Sequence, residues 1–388
     1  MDRLGNVFEC NPQIKLIKEK EYPLIDIDSI TIGRKYPTPK ELIKYIGQSG
    51  SRFCSGDTIM ARITPCLENG KIAMVKTDKE ACIGSTELFV FRGKKDKSIN
   101  EYVYYFMKQD WIRNYAANSM TGASGRQRAN LDFIKRIQFD FPNCEIQEKI
   151  VNYLIKYDEL IENNNSRILI LEQMAEEVYK EWFARFKFPN NTNYSFIESK
   201  PYGWIYGNES TMKIPSKWHF GRLDEIGSFI RGKNITSSEM QDGEIPVISA
   251  GIEPSGYHNE SNVKGMSLTM SASGANAGYL KYNLGDIWAA DCSYYQNDDN
   301  IWFVYSSLKF IESAIKNLQV GSAQPHVYAK NINKLNIIIP EEKYIKMYND
   351  FVNPMFEEIK KINEKNKILT KQRDLLLPRL MSGKLDVK

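Results

Sequence analysis

The sequence predicts an α+β protein in which two mixed α/β globular domains form a tandem pseudo-repeat, separated by two long helices. Three observations carry this. A heptad seam occurs twice at a fixed distance; the same succession of glycine loop, strand and proline precedes each seam; and the remaining segments mix short apolar runs with helical stretches. At 388 residues the chain is long enough for two domains that each bury a core. A 42% hydrophobic content with 22 tyrosines excludes a disordered chain.

Two heptad seams define the repeat. Ile150, Leu154, Tyr157, Ile161, Asn164, Ile168, Leu171, Ala175, Val178 and Trp182 step by four and three without a break. Tyr348, Val352, Met355, Ile359, Ile362, Asn366, Leu369, Arg373, Leu376 and Leu380 repeat the register, 348 − 150 = 198 positions later. Such a seam over more than four heptads predicts coiled-coil helices. Each carries one Asn (Asn164, Asn366), a residue that fixes register and partner number at some cost in stability. The domains predicted are 1–146, a helix over 147–185, a second globular domain over 186–342 and a C-terminal helix over 343–388. Residues 186–217, rich in Asn, Pro, Ser and Gly, read as a linker or an irregular entry to the second domain.

Upstream of the first helix, the loop Thr121–Gln127 leads to alternating Ile137, Phe139 and Phe141, then Pro142. Upstream of the second, Val320–His326 leads to Leu335, Ile337 and Ile339, then Pro340. Gly56–Arg62 has a looser counterpart in Gly265–Ser271. Within the globular segments, Leu88–Phe91 and Ile301–Tyr305 read as strands, and Tyr102–Tyr115 and Leu308–Leu318 as helices.

Charge is unevenly spread. Residues 1–146 hold 23 Lys/Arg against 18 Asp/Glu, a net +5 compatible with a phosphate-contacting surface. Residues 147–185 hold 5 against 8, residues 186–342 hold 13 against 16, and residues 343–388 hold 11 against 6. The second globular segment is therefore not basic, and charge alone does not mark it as DNA-binding.

Several classes of chemistry find no motif. The N-terminal residues lack the basic-then-apolar pattern of a signal peptide, and no apolar run approaches the ~18 residues of a membrane span. Six scattered cysteines without a C-x-x-C pair read as reduced thiols of a cytoplasmic protein rather than as a metal site. His219, His258 and His326 lie far apart, without the spacing of a zinc or hydrolase centre. Neither the N-P-P-Y signature of amino-methyltransferases nor a glycine-rich turn for S-adenosylmethionine is present. Gly227–Asn234 nearly matches a phosphate loop, but Asn234 lacks the hydroxyl that would hold magnesium, so a turn after a strand is the better reading. Glu68–Lys71 and Ser85–Glu87 lack a paired carboxylate for acid–base work. They read either as ordinary turns or as loops whose polar groups contact base edges.

Gln147-Glu148-Lys149-Ile150, Asp158-Glu159-Leu160-Ile161-Glu162-Asn163-Asn164, Leu171-Glu172-Gln173-Met174-Ala175 and Tyr179-Lys180-Glu181-Trp182-Phe183 resemble the central helical region of type I restriction–modification specificity subunits. Leu375–Leu385 is similar to that family's C-terminal end, and Ala61–Lys71 and Ile214–Trp218 resemble patterns of its target-recognition domains. The resemblance covers essentially the whole chain. It implies that two target-recognition domains each read half of a split site on double-stranded DNA, while the helices pack antiparallel and dock two copies of a methyltransferase (modification) subunit. It also implies motor–nuclease (restriction) subunits. S-adenosylmethionine, ATP and Mg would belong to those partners, with no cofactor, metal, catalytic residue or membrane contact of this chain's own. A helix of about 33 residues is roughly 50 Å long, on the order of 15 base pairs.

On this reading the candidate DNA contacts are Arg62, Asn69, Lys71, Thr86, Ser124, Arg126, Gln127 and Arg128 in the first domain. In the second they are Arg231, Lys233, Ser273, Asn276, Lys281, Ser322, Gln324 and His326. The helix and partner interface comprises Ile150, Leu154, Tyr157, Ile161, Asn164, Ile168, Leu171, Val178 and Trp182, with Val352, Met355, Ile359, Ile362, Asn366, Leu369, Leu376 and Leu380. The alternative is a two-domain DNA-binding protein with a coiled-coil dimerisation arm and no methyltransferase partner.

Overall fold

A computed structural model describes residues 1–122, 126–200, 211–321 and 325–385. The chain divides into two compact units, Met1–Ser166 with Asn363–Lys388, and Arg167–Ile362. The long helices are Cys144–Tyr179, continued by a π-helical turn at Lys180–Ala184, and Glu342–Met381. Their first residues are again 342 − 144 = 198 apart. The unit boundary falls inside each helix, so neither helix forms a domain of its own. Each unit contains a stretch of both.

In unit 1, a four-stranded antiparallel sheet runs in the order Phe8–Cys10, Leu88–Gly93, Thr58–Ala61, Ile72–Met74. A second sheet has the order Leu42–Lys44, Glu21–Ile25, Cys82–Gly84, Ser51–Phe53, and Glu21–Ile25 is parallel to Cys82–Gly84. Asp2–Arg3 pairs with Gln138–Phe139, the strand expected before Pro142. The helix Asn100–Lys108 is buried along its whole length from Tyr102 to Met107. It packs with Phe8, Phe89 and Phe91 of the sheet and with Ile150, Leu154, Leu377 and Leu380 of the long helices. Each such large side chain taken from water stabilises by about 1.5–3 kcal/mol, which fixes the sheet against the helices.

Unit 2 repeats the topology of the first sheet and three strands of the second. Its first sheet has the order Ile230–Arg231, Cys292–Tyr295, Ser267–Ser271, Leu280–Asn283. Its second has Gly256–His258, Ile245–Ile248, Trp288–Ala289, with Ile245–Ile248 parallel to Trp288–Ala289. His219–Arg222 pairs with Asn336–Ile339.

Three sequence expectations change. Ile301–Tyr305 is not a strand but the start of the helix Ile301–Phe310. Ile301, Trp302, Phe303 and Val304 are all fully buried, and an element buried on every face shows no periodicity to read. Tyr102–Tyr115 is two helices, Asn100–Lys108 and Asp110–Ala117, broken at the extended Gln109; Leu308–Leu318 likewise spans the end of one helix and Glu312–Lys316. The linker 186–217 contributes structure of its own. Phe196–Ser199 pairs with Met212–Pro215, and Phe186 and Phe188 are buried against Trp218. Its polar composition concealed the aromatic anchors.

Candidate nucleic-acid interface

In unit 1, the chain leaving the strand Thr58–Ala61 meets the segment 126–129 in a small backbone cradle. The Arg62 amide donates to the Glu87 carbonyl (3.0 Å), and the Arg62 carbonyl accepts from the Ala129 amide (2.8 Å). The Thr64 amide donates to the Gln127 carbonyl (3.0 Å), and the Thr64 hydroxyl accepts from the Gln127 amide (3.1 Å). Arg128 and Thr121 exchange both backbone hydrogen bonds, closing the loop between them. Downstream, the Asn130 side chain accepts from the Asp132 and Phe133 amides and so starts the helix Leu131–Lys135, which fixes where the cradle ends.

Unit 2 builds the same cradle from different residues. The Ala272 amide donates to the Asp291 carbonyl (3.3 Å), and the Ala272 carbonyl accepts from the Val327 amide (3.0 Å). The Gly274 amide donates to the Pro325 carbonyl (3.0 Å), while His326 and Val320 exchange backbone bonds at 2.9 Å. Gly274 sits at φ +75°, a left-handed backbone that glycine adopts without strain.

The acids of the cradles correspond as well, while their arginine partners come from different elements. Glu87 receives a fork of hydrogen bonds from the Arg128 guanidinium at 2.7–2.9 Å, and that contact holds its carboxyl below the usual range. In unit 2 the acid is Asp291, which binds Arg231 and the Ser273 hydroxyl. Glu87 belongs to the Ser85–Glu87 cluster but was not among the named DNA contacts, and Asp291 was in neither. Each immediately precedes a strand, Leu88–Gly93 or Cys292–Tyr295, and only the fold brings it beside the cradle.

The remaining candidates fall into three groups. Arg126 is exposed, and its guanidinium has no hydrogen bond or ion pair among the described residues; Asn69 and Thr86 are exposed too. Gln127 and Asn276 are half-buried, the Asn276 carbonyl accepting from the Tyr279 amide. Lys233 is exposed with its ammonium 5.9 Å from the Trp288 ring, and His326 stacks on Tyr328 at 6.1 Å. A second group turns inward. Ser273 is buried, and Arg62 lays its guanidinium over the Phe89 ring at 5.0 Å. Lys71 donates to the Ile27 carbonyl (2.9 Å) and Lys281 to the Ile252 carbonyl (3.1 Å). Each lysine ties one sheet to the loop after the other, from positions two residues apart in the shared register. Ser124, Ser322 and Gln324 lie outside the described residues.

The seam residues face inward in both helices, none of them exposed. Within unit 1, Asn164 donates to Asn366 (2.8 Å), Asn366 donates to Asn165 (3.0 Å), and Asp158 pairs with Arg373. Within unit 2, Arg167 pairs with Glu358 (3.0 Å), and the Tyr348 hydroxyl donates to the Ala175 carbonyl (2.9 Å). In both cases residue numbers rise along one helix as they fall along the other, so the helices are antiparallel. The sequence reading missed the role of Asp158, which lies beside the seam rather than on it. The available signal was Arg373, a charge on an apolar seam that requires a counter-ion.

The described residues contain no group of His, Cys, Asp or Glu arranged to hold a metal ion, and no described helix is long and apolar enough to cross a membrane. Comparison with known proteins places this architecture. The profile of the type I restriction modification DNA specificity domain matches residues 1–173 and 215–370. The chain belongs to that family. It is 27% identical over 319 residues to the type I restriction enzyme MjaIX specificity subunit of Methanocaldococcus jannaschii, covering 76% of this chain and 71% of that one. It is 22% identical to the HindI specificity subunit of Haemophilus influenzae, covering 87% and 88%. The crystal structure of the type I restriction–modification S subunit from M. genitalium shares the fold over 100% of this chain and 96% of its own, with a TM-score of 0.50 at 18% identity.

Proposed function

We propose that this chain is the DNA-recognition subunit of a type I restriction–modification complex in the cytoplasm. Each unit reads one half of a bipartite duplex target, and the antiparallel helices hold two copies of a methyltransferase subunit. Catalysis belongs to the partners: S-adenosylmethionine chemistry to the methyltransferase, and ATP- and Mg-dependent translocation and cleavage to the restriction subunits. The observation that carries this reading is the pair of cradles. One backbone frame occurs twice, while the side chains mounted on it differ, as two different half-sites require. Pseudo-two-fold repetition of the helices likewise suits two copies of one partner, and half-sites divided by an unread gap.

Sequencing that detects methylated adenine, in cells with and without the gene, tests this. The expected result is loss of methylation at one bipartite motif on deletion. Methylation that does not change would point instead to a DNA-binding protein without a methyltransferase partner.

A further inference from the structure

The shared seam makes the two long helices nearly interchangeable in shape. The stretch 147–185 has the register to pair antiparallel with 343–388 of its own chain, and also with 147–185 of a second copy. Two matched pairs of side chains break that interchange. In unit 1, Asp158 meets Arg373, and Asn164 meets Asn366. Asp158 and Arg373 are almost completely buried, at 2% and 0% exposure, and Asn164 is buried as well. The corresponding positions in unit 2 carry Phe356 with Ala175, and Ile362 with Ile168. Phe356, Ala175 and Ile362 are buried and Ile168 half-buried. Each polar match is therefore divided between the helices, one member on each.

Self-pairing undoes both matches at once. The first helix against its own copy sets Asp158 opposite Ala175 and Asn164 opposite Ile168. The second against its copy sets Arg373 opposite Phe356 and Asn366 opposite Ile362. Tyr105 would still donate to Asp158 (2.5 Å), and Arg373 would keep its neighbour Asp374 (2.9 Å). One hydroxyl does not offset a buried carboxylate that has lost its guanidinium, and a polar group left unpaired in a helix seam disfavours that pairing. We propose that Asp158–Arg373 and Asn164–Asn366 act as a pairing code by which the chain's two different helices select each other and reject a second copy of themselves. The inference stands on the helix contacts and is independent of how DNA is read.

The test copies the apolar chemistry of unit 2 into unit 1 of the full-length protein: Asp158→Phe, Arg373→Ala, Asn164→Ile and Asn366→Ile together. Sedimentation equilibrium gives the dimerisation constant. Cross-linking a mixture of isotopically light and heavy chains identifies which helices meet across copies. The expected result is a monomeric wild type and a variant that dimerises at least ~10-fold more tightly, with light–heavy links joining 147–185 to 147–185. The charge-exchanged variant, Asp158→Arg with Arg373→Asp, should remain monomeric because it keeps the match. If the fourfold variant does not fold, the pair Asn164→Ile with Asn366→Ile decides the question, with the same links expected at a smaller increase. A folded apolar variant as monomeric as wild type would overturn the proposal. So would links that join only 147–185 to 343–388 of the other copy, or self-pairing links in the wild type.

Discussion

In unit 1 the side chain joining the helix pair to the globular core is a carboxylate: Asp158 receives the Tyr105 hydroxyl and pairs with the buried guanidinium of Arg373. At the corresponding position of unit 2, Phe356 lies flat on Trp302, ring centroids 3.5 Å apart and planes within 4°. Both positions lie in the long helices, and the first sheets of the two units share one strand order. The difference teaches that the repeat holds its frame through hydrogen bonds between main-chain groups, which tolerate any side chain. The contacts mounted on that frame have diverged into opposite chemistries. A buried ion pair requires both members, whereas an aromatic stack requires only volume.

The largest effects should therefore come from removing one side of either contact. Arg373→Ala leaves Asp158 buried without its counter-ion and is expected to destabilise unit 1 by about 3–5 kcal/mol. Phe356→Ala leaves a cavity beside Trp302 and is expected to cost unit 2 about 3–5 kcal/mol. Hydrogen exchange at Asn100–Lys108 and at Ile301–Phe310 reports the units separately. Loss of protection in the wrong unit would break the comparison.

Replacing both members of the ion pair sharpens it. Asp158→Phe with Arg373→Ala should stay within about 2 kcal/mol of wild type, because a buried pair exchanged for apolar groups is close to neutral. If the double variant is as unstable as Arg373→Ala alone, the cost lies in lost packing and not in the stranded charge.

A smaller effect follows from pH. Lys108 is pressed against Arg373 and Asp374, and burial lowers its ammonium from 10.5 to about 8. Between those values the unfolded chain holds a proton that the folded chain lacks, so stability rises with pH. The penalty is fully present below pH 8. Unit 1 should gain stability from pH 8 to pH 10, by at most about 1.4 kcal/mol per unit, and Lys108→Met should remove the slope. The corresponding lysine of unit 2, Lys309, is only half-buried and pairs with Glu312 (3.0 Å).

The helices and their register were legible in the sequence because a heptad pattern is a property of neighbouring residues. The repeat of 198 positions reappears unchanged in where the helices begin. The cradles were legible only as loops. Glu87 and Asp291 reach them through the sheet, and no local pattern joins residue 87 to residue 128. No local pattern foretells either that Lys71 and Lys281 hold carbonyls of distant loops. Ile301–Tyr305 resembles a strand in sequence because full burial erases the alternation that separates helix from strand. The exposure of Arg126 needed no tertiary knowledge, being that of a charged residue on a polar loop.

The smallest effects on stability, and the most specific ones on function, belong to the cradles. Arg126→Ala and Arg231→Ala should each shift stability by no more than about 0.5 kcal/mol. Arg231 is already held by Asp291, whereas the Arg126 guanidinium has no partner among the described residues, so Arg126→Ala should weaken DNA binding more. A phosphate contact would lower the salt dependence by about one charge. A base contact would relax one base pair by about 1–3 kcal/mol. Equal binding by Arg126→Ala and wild type at all salt concentrations would remove Arg126 from the interface.

The central claim is that two recognition units read separate half-sites whose gap is set by the antiparallel helices. Because Asn164 and Asn366 pair across the seam, the direct test inserts one helical turn in both helices, four residues between Ser166 and Arg167 and four between Glu364 and Lys365. Each helix lengthens by about 6 Å, close to two base pairs of duplex. Mapping methylated adenine in cells carrying this variant should return the same two half-site sequences, separated by a gap wider by about two base pairs. New half-site sequences at an unchanged gap would contradict the account.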